Sequence, residues 1–464
     1  DVCSSDLQEL PVVTVQLPMF NEKFVVDRLL ESVAALDYPQ DKLEIQILDD
    51  STDDTTEQCY RKVEELKSRG FDAVCIHRTD RTGFKAGALE AATKVAKGEF
   101  LLILDADFVP EPDLLQKTIH FFTDENVGLV QTRWGHINRE YNLLTRIQGM
   151  YLDGHFAMEQ TARNRSGRFF TFNGTAGIWR KCVIGDAGGW SHDTLTEDMD
   201  LSYRVQLRGW RFIYLNDVVT PAELPVDMDG FKSQQHRWTK GSIQVCQKIL
   251  LDIWRSNAPL KAKVEATTHL TCNYSYLLLA LLCFLVYPIC TQRIPENETV
   301  FMWFVNVALF FMTSVAVCIF YMSAQIVVRP KSWWKELPYL PLLLTLSVGM
   351  AVNNAKAVLE AIFGHQSAFV RTPKYGVDRK EDRRHVSQLK RNGYRAIKSV
   401  VIPVLEIACG TFFLNLIIIM IRQGHYLSPI LMIPFLGFYY TGFCSLGRMI
   451  SNLLPAKQTA KAKN

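Results

Sequence analysis

None of the eleven cysteines forms a C-x-x-C pair, and none of the ten histidines an H-x-x-x-H arrangement. The first lack removes the usual zinc spacings and any legible disulfide framework, so the thiols read as reduced. The second argues against a histidine-ligated metal. Excess charge of one sign is missing too: 51 Lys and Arg stand against 48 Asp and Glu, a net charge of +3, which excludes a nucleic-acid binder working by bulk charge. Up to about residue 256 there is no uncharged run long enough to cross a membrane, whereas beyond it the long runs have almost no charge. A chain of 464 residues exceeds what one core usually serves, and this shift marks where it divides.

In the first region short β-rich runs alternate with amphipathic helical stretches. PVVTVQLP, LEIQILDD, DAVCIHR and FLLILDAD are the runs, with helices expected from about Glu22, Asp53 and Lys85. Such alternation predicts an α/β domain with a parallel, doubly wound sheet. Ligands of open α/β sheets bind beyond the carboxyl ends of the strands, and two of these runs end in acid, at Asp49 and Asp50 and at Asp105 and Asp107. Asp also starts helices, and Asp53 reads as such a cap. Asp105 and Asp107 are different, because Phe108, Val109 and Pro110 follow and delay any helix to about Asp113. Two carboxylates so placed repel unless a cation lies between them, and Mg²⁺ or Mn²⁺ shared with substrate phosphates is the economical choice.

A third acidic cluster, Glu197, Asp198 and Asp200, opens a later helix, where acid also suits the helix dipole. Just before it, FNGTAG (172–177) is a run of small residues that either packs tightly or lets a sugar approach the backbone. Then comes Gln234-Gln235-His236-Arg237-Trp238, at the head of an amphipathic helix expected over residues 231–257. There Trp238 offers a flat apolar face to a sugar ring and Arg237 a fork to phosphate; a helix lying on a membrane surface explains the same pattern.

Taken together, PMFNE (18–22), IQILDDSTDDT (45–55), RTGFKAGAL (81–89), DADFVPEPD (105–113), LVQTRW (129–134), FNGTAGIWR (172–180), AGGW (187–190), TEDMDLSYR (196–204) and QQHRW (234–238) resemble the processive members of glycosyltransferase family 2, the cellulose-synthase superfamily. The likeness is greatest to its glucomannan-synthase and xyloglucan-backbone-synthase branches, and it covers residues 11–255. It implies a GT-A, Rossmann-like catalytic domain over 9–230, followed by an α-helical transmembrane region over 258–464. It also implies an inverting transfer of hexose from UDP-glucose or GDP-mannose to a growing β-linked, β-1,4 polysaccharide, with export of the polymer a further expectation. At the matching positions Asp50 would bind the nucleotide, with Lys85 near its pyrophosphate. Asp105 and Asp107 would hold the metal against the donor phosphates. Asp198, beside Glu197, would be the general base, Gln234 and Arg237 would contact the diphosphate, and Trp238 would stack on the acceptor sugar.

Four spans are expected, over 270–290, 299–328, 400–421 and 426–447, with 337–363 interfacial or re-entrant because Pro338, Pro341, Asn353, Asn354, Lys356 and Glu360 interrupt it. Residues 371–398 hold ten Lys and Arg against three acids, which puts that loop, the chain's tail and the catalytic domain on the cytoplasmic side. The resemblance places such an enzyme in the inner membrane of a bacterium or the Golgi of a eukaryote. Within the loop over 365–398, Phe369, Thr372 and Lys374 match the family's F-x-V-T-x-K gating element, although Arg371 replaces the usual Val. A basic loop lying on anionic lipid is the competing explanation. Asn353, Asn354 and Glu406 either line a polymer path or bond between helices. The opening DVCSSDL fits no element, so residues 1–8 are expected to be a flank, and the family's usual preceding spans to be missing. Competing functions are a nonprocessive transferase acting on a lipid-linked acceptor and a noncatalytic membrane scaffold.

Overall fold

The computed structural model describes residues 7–291, 300–365, 372–377, 400–422 and 429–453. Phe369 and most of the expected gating loop lie outside them. Strands β1 (Val13–Met19), β2 (Leu43–Asp49), β3 (Asp72–His77), β4 (Phe100–Ile103), β5 (Val127–His136), β6 (Gly177–Arg180) and β7 (Arg211–Ala222) form one sheet in the order β3-β2-β1-β4-β6-β5-β7. The parallel expectation holds for β1 to β4. It fails at β6, which runs antiparallel to β4 and β5.

The cause lies in the FNGTAG run. The chain returns to the sheet at the carboxyl end of β4, where Ile103 pairs with Gly177, and must descend from there. Gly174 (φ +81°) and Ala176 (φ +57°) make that reversal, and Ala176 is tied on both sides, its N–H to Ile103 O at 2.8 Å and its carbonyl to Thr132 N at 3.0 Å. The small residues therefore serve a turn that hydropathy alone does not reveal.

Helices cover both faces of the sheet, so its central strands are buried on both sides; β2 buries all seven of its residues, and its polar Glu44 and Gln46 are met by Thr14 and Gln16 of β1 at 2.6 and 3.1 Å. On one face α1 (Val26–Ala34) and α2 (Thr55–Ser68) pack Leu29, Leu30, Val33, Cys59, Val63 and Leu66 over Val13, Val15 and Leu17. Leu7 packs against this core, which brings the end of the expected flank into the fold. On the other face α3 (Phe84–Val95) sets Leu89 beside Leu101, Ile103 and Trp179. The chain continues through α4 (Leu143–Asp153), α5 (Thr161–Arg165), α6 (Lys181–Asp186) and α7 (Glu197–Leu207). Trp179 is fully buried and meets Phe172, Trp190 and Phe212 edge-on at 5.4, 6.1 and 5.4 Å. Truncating a core tryptophan of this kind costs about 3–5 kcal/mol.

Past the sheet come α8 (Met228–Arg255), α9 (Leu260–Thr271), α10 (Ser275–Thr291), α11 (Val300–Val328), α12 (Leu340–Gly349), α13 (Ala351–Ile362), α14 (Val401–Arg422) and α15 (Pro429–Leu453). Among the described residues three helical stretches are long and apolar enough to cross a membrane: Leu260–Pro288, Trp333–Ile362 and Val401–Arg422. The second covers residues 337–362 of the segment expected to be interfacial or re-entrant. Of the polar residues behind that expectation, Asn353, Asn354 and Glu360 are met within the protein, whereas the Lys356 side chain is half exposed. Asn353 and Asn354 are buried, and Glu360 pairs with His236 at 3.1 Å and Lys240 at 3.2 Å, both on α8. Helices α13 and α8 lie along one another, and α12 packs on α15.

Candidate active site

Every sequence-predicted site residue that is described lines one cleft at the carboxyl edge of the sheet: Asp50, Lys85, Asp105, Asp107, Glu197, Asp198, Gln234, Arg237, Trp238, Thr372 and Lys374. The turn after each strand supplies its share. Asp49 points inward, bonded to His77 Nδ1 and to the Thr56 hydroxyl, each at 2.7 Å, and is structural. Asp50 turns into the cleft, where Arg78 grips it from Nε (2.8 Å) and from a terminal nitrogen (2.6 Å). Arg78 also donates to Phe84 O at 2.9 Å, so the same grip shapes the turn that presents Lys85. The N-cap of α2 is Asp54, and Asp53, expected to be the cap, stands one residue earlier and accepts from Thr55 N at 3.0 Å in the turn that leads into the helix.

The two carboxylates of the D-x-D pair do meet positive charge, from far away in the sequence. Lys85 on α3 donates to Asp105 at 2.5 Å and to Gly174 O at 2.8 Å. Lys374 pairs with Asp107 and donates to Glu223 O at 3.3 Å. Among the described residues no group of three or more His, Cys, Asp or Glu could hold a metal. A cation here would have two carboxylates from the protein and take its remaining oxygens from phosphate and water. Mg²⁺ and Mn²⁺ accept that hard, incomplete donor set, so the two carboxylates fit the expected ion by their chemistry, with Lys85 and Lys374 having to yield the oxygens they now hold.

Asp198 stands at the first turn of α7, its carboxylate taking the Met199 N–H at 2.8 Å. Burial, then the neighbouring Glu197, push its pKa up to about 7, against the pull of Lys85 and Arg237. Burial works against the charge of Lys85, but Asp105, Glu197 and Asp198 outweigh it and raise its pKa. The base candidate, the lysine and the D-x-D pair thus share one electrostatic neighbourhood. Gly174 keeps it open: a Cβ there would lie 3.0 Å from an Asp198 oxygen and 3.6 Å from Lys85 Nζ. Asp200, by contrast, is sealed against Arg204 (2.7 Å) and Lys248 (2.9 Å).

Gln234, Arg237 and Trp238, spaced i, i+3, i+4, share the face of α8 that closes the cleft. That helix approaches closely, since a Cβ on Gly241 would lie 2.5 Å from the Thr196 side chain at the start of α7. Residues that sequence reasoning missed line the cleft as well. Arg81 stacks on Phe20 with its guanidinium carbon 3.4 Å from the ring centre. Glu223, just past β7, accepts the N–H groups of Tyr375, Gly376 and Val377 at 2.9, 2.9 and 3.2 Å. This seats the 372–377 segment at the rim. Burial raises the Glu223 pKa despite those bonds. Among the described residues the positive-φ non-glycine positions Asn21, Phe84 and Ala176 all lie in motif turns around the cleft, where strain held by surrounding structure is expected.

Comparisons with known proteins agree with this geometry. Residues 11–241 match the model described as glycosyltransferase like family 2, and residues 177–424 match that for cellulose synthase. The chain is 45% identical over 251 residues to glucomannan 4-beta-mannosyltransferase 2 of Arabidopsis thaliana, covering 53% of this chain and 47% of that one. It is 41% identical over 269 residues to glucomannan 4-beta-mannosyltransferase 1 of Oryza sativa subsp. japonica, covering 57% and 51%. It therefore spans about half the length of the curated relatives it matches. A solved mannosyltransferase from Pyrobaculum calidifontis, in complex with GDP-Man and Mn²⁺, shares the fold, with a TM-score of 0.52 at 20% identity over 77% of this chain and 89% of that one. A GT-A-like sheet whose strand ends carry these motifs, joined to apolar helices and matched over more than half its length, makes the chain a member of the cellulose synthase family of glycosyltransferases.

Proposed function

We propose that this chain transfers a hexose from a nucleotide sugar to the end of a growing β-1,4-linked polysaccharide, with inversion, at the cytoplasmic face of a membrane. The relatives named as mannosyltransferases favour mannose, and with it GDP-mannose, over UDP-glucose. The observation that carries the reading is the placement of Asp198 in one cleft with the Lys85–Asp105 pair and the Gln234, Arg237, Trp238 face.

The chemistry follows from what those groups can do. Trp238 holds the acceptor ring, and Asp198 takes the proton of its attacking hydroxyl as the oxygen bonds to the anomeric carbon. The bond from that carbon to phosphate breaks, and the electron pair leaves with the nucleoside diphosphate. An α-linked donor so gives a β-linked product. Lys85, Arg237 and Lys374 lie where the leaving charge appears, which is where fixed positive groups lower a barrier. Held by Asp105 and Asp107, Mg²⁺ or Mn²⁺ would supply further Lewis-acid stabilisation of the departing phosphates. A carboxylate with a pKa near neutrality suits a base that must accept a proton and release it each cycle.

The apolar helices and the basic 371–398 stretch support a membrane enzyme with its cleft on the cytoplasmic side. Packing of α13 along α8, which itself closes the cleft, supports keeping the 337–363 segment on that same side. The test supplies radiolabelled GDP-mannose or UDP-glucose, with Mg²⁺ or Mn²⁺, to the chain in lipid nanodiscs and digests the product with β-1,4-mannanase or cellulase. Polymer made from GDP-mannose and cut by mannanase supports the proposal. Label recovered only in lipid extract, or no transfer from either donor, overturns it.

A further inference from the structure

Helix α8 meets two environments. Its Gln234, Arg237, Trp238 face closes the cleft, while Lys232, six residues before Trp238, points into the packed apolar helices. The side chain of Lys232 is 2% exposed. Its ammonium donates to Glu406 Oε2 on α14 at 2.5 Å, and to Thr441 O and Ser445 Oγ on α15 at 3.0 and 2.9 Å. Its three donors thus reach two different apolar helices. A third, α13, adds Asn353 Nδ2, which donates to the Lys232 carbonyl at 3.1 Å. At the start of α8, Arg448 of α15 pairs with Asp227 and lies 3.5 Å from Asp229.

A buried ion pair adds little net stability over a well-packed apolar pair, but it can fix register. An ammonium whose hydrogen bonds run to two separate helices is satisfied at one rotation and one height of α8. Shifting α8 by a residue turns its cleft face by about 100°, and Lys232 lies only about 9 Å along the axis from Trp238. We infer that Lys232 and Glu406 are positioning residues for transfer: they set the rotation and depth of α8, and so make the placement of Arg237 and Trp238 depend on how α14 and α15 are packed. This rests on the reading of the α8 face as the diphosphate and acceptor contact.

The test uses the full chain in nanodiscs, with Lys232→Met/Glu406→Leu as the deciding variant because it removes both charges without stranding either. Glu406→Gln, which keeps the shape but removes the charge that holds the ammonium against α14, serves if the double variant does not fold. The reversed pair Lys232→Glu/Glu406→Lys tests rescue. Turnover should fall by about tenfold or more while the donor KM stays within about threefold, as expected when binding survives and orientation suffers. The reversed pair should recover at least part of the loss. Wild-type turnover in a folded double variant, or in Glu406→Gln, overturns the inference. Trp238→Ala runs beside them: if it transfers at the wild-type rate, the acceptor reading has failed, whereas a dead Trp238→Ala beside fully active pair variants condemns the positioning role alone.

Discussion

In the sheet domain charged side chains gather at one edge and face an open cleft, as Asp50, Lys85, Asp105, Asp107 and Asp198 do. Where that domain meets the apolar helices they are sealed: Lys232 with Glu406, Arg139 with Asp153 and Gln325, Arg146 with Glu336, Lys240 with Glu360. An ion facing a cleft can exchange its partner for a substrate, so its pairing is provisional. A sealed ion has nowhere else to go, and its loss leaves a stranded charge. Chemistry thus belongs to the first group, and alignment of the elements that frame the cleft belongs to the second.

The largest break in that comparison should come at the base. Asp198→Asn keeps the size and the Met199 contact but cannot take a proton, so turnover should fall by about 10²- to 10⁴-fold while nucleotide affinity, by equilibrium titration, stays near wild type. Comparable turnover would remove Asp198 from the mechanism. A smaller effect is expected at Glu223, which joins the sheet domain to the 372–377 segment. Glu223→Ala strands three N–H groups, and losing bonds to a charged acceptor should raise the donor KM by about tenfold. Faster amide exchange at Tyr375 to Val377 would locate the cause, and unchanged exchange would contradict it. The smallest effect belongs to pairs in neither group. Lys97 and Asp72 meet at 2.5 Å with side chains 60% and 50% exposed, so Lys97→Ala should leave both activity and thermal midpoint unchanged.

The same comparison explains what the sequence made legible. Asp50, Asp105 and Asp107 could be placed because β-rich runs locate the strands and ligands gather at their carboxyl ends. Glu223 stands at such an end too, but its meaning lies in amides 152 to 154 residues away, and no local pattern announces them. Arg78 escaped notice for the same reason, as did the antiparallel course of β6, which depends on a reversal through Gly174 and Ala176. In the helical region hydropathy located the helices but not their partners. Glu406, read as lining a polymer path or bonding between helices, takes the second role, and Asn353 bonds to the Lys232 carbonyl. Long-range pairing of isolated polar residues leaves no periodic trace.

The claim on which the chemistry turns is that Asp198 accepts the acceptor's proton, and the pH dependence of turnover tests it most directly. Asp198 works only when ionised, and its pKa is raised, first by burial and then by Glu197, to about 7. The rate should therefore fall as pH drops through that value or through a lower one set by a bound cation, and Glu197→Gln, by removing the neighbouring charge, should move the acid limb to lower pH. A rate that is flat from about pH 5 to pH 8 in the wild type, with no movement in Glu197→Gln, would contradict the assignment.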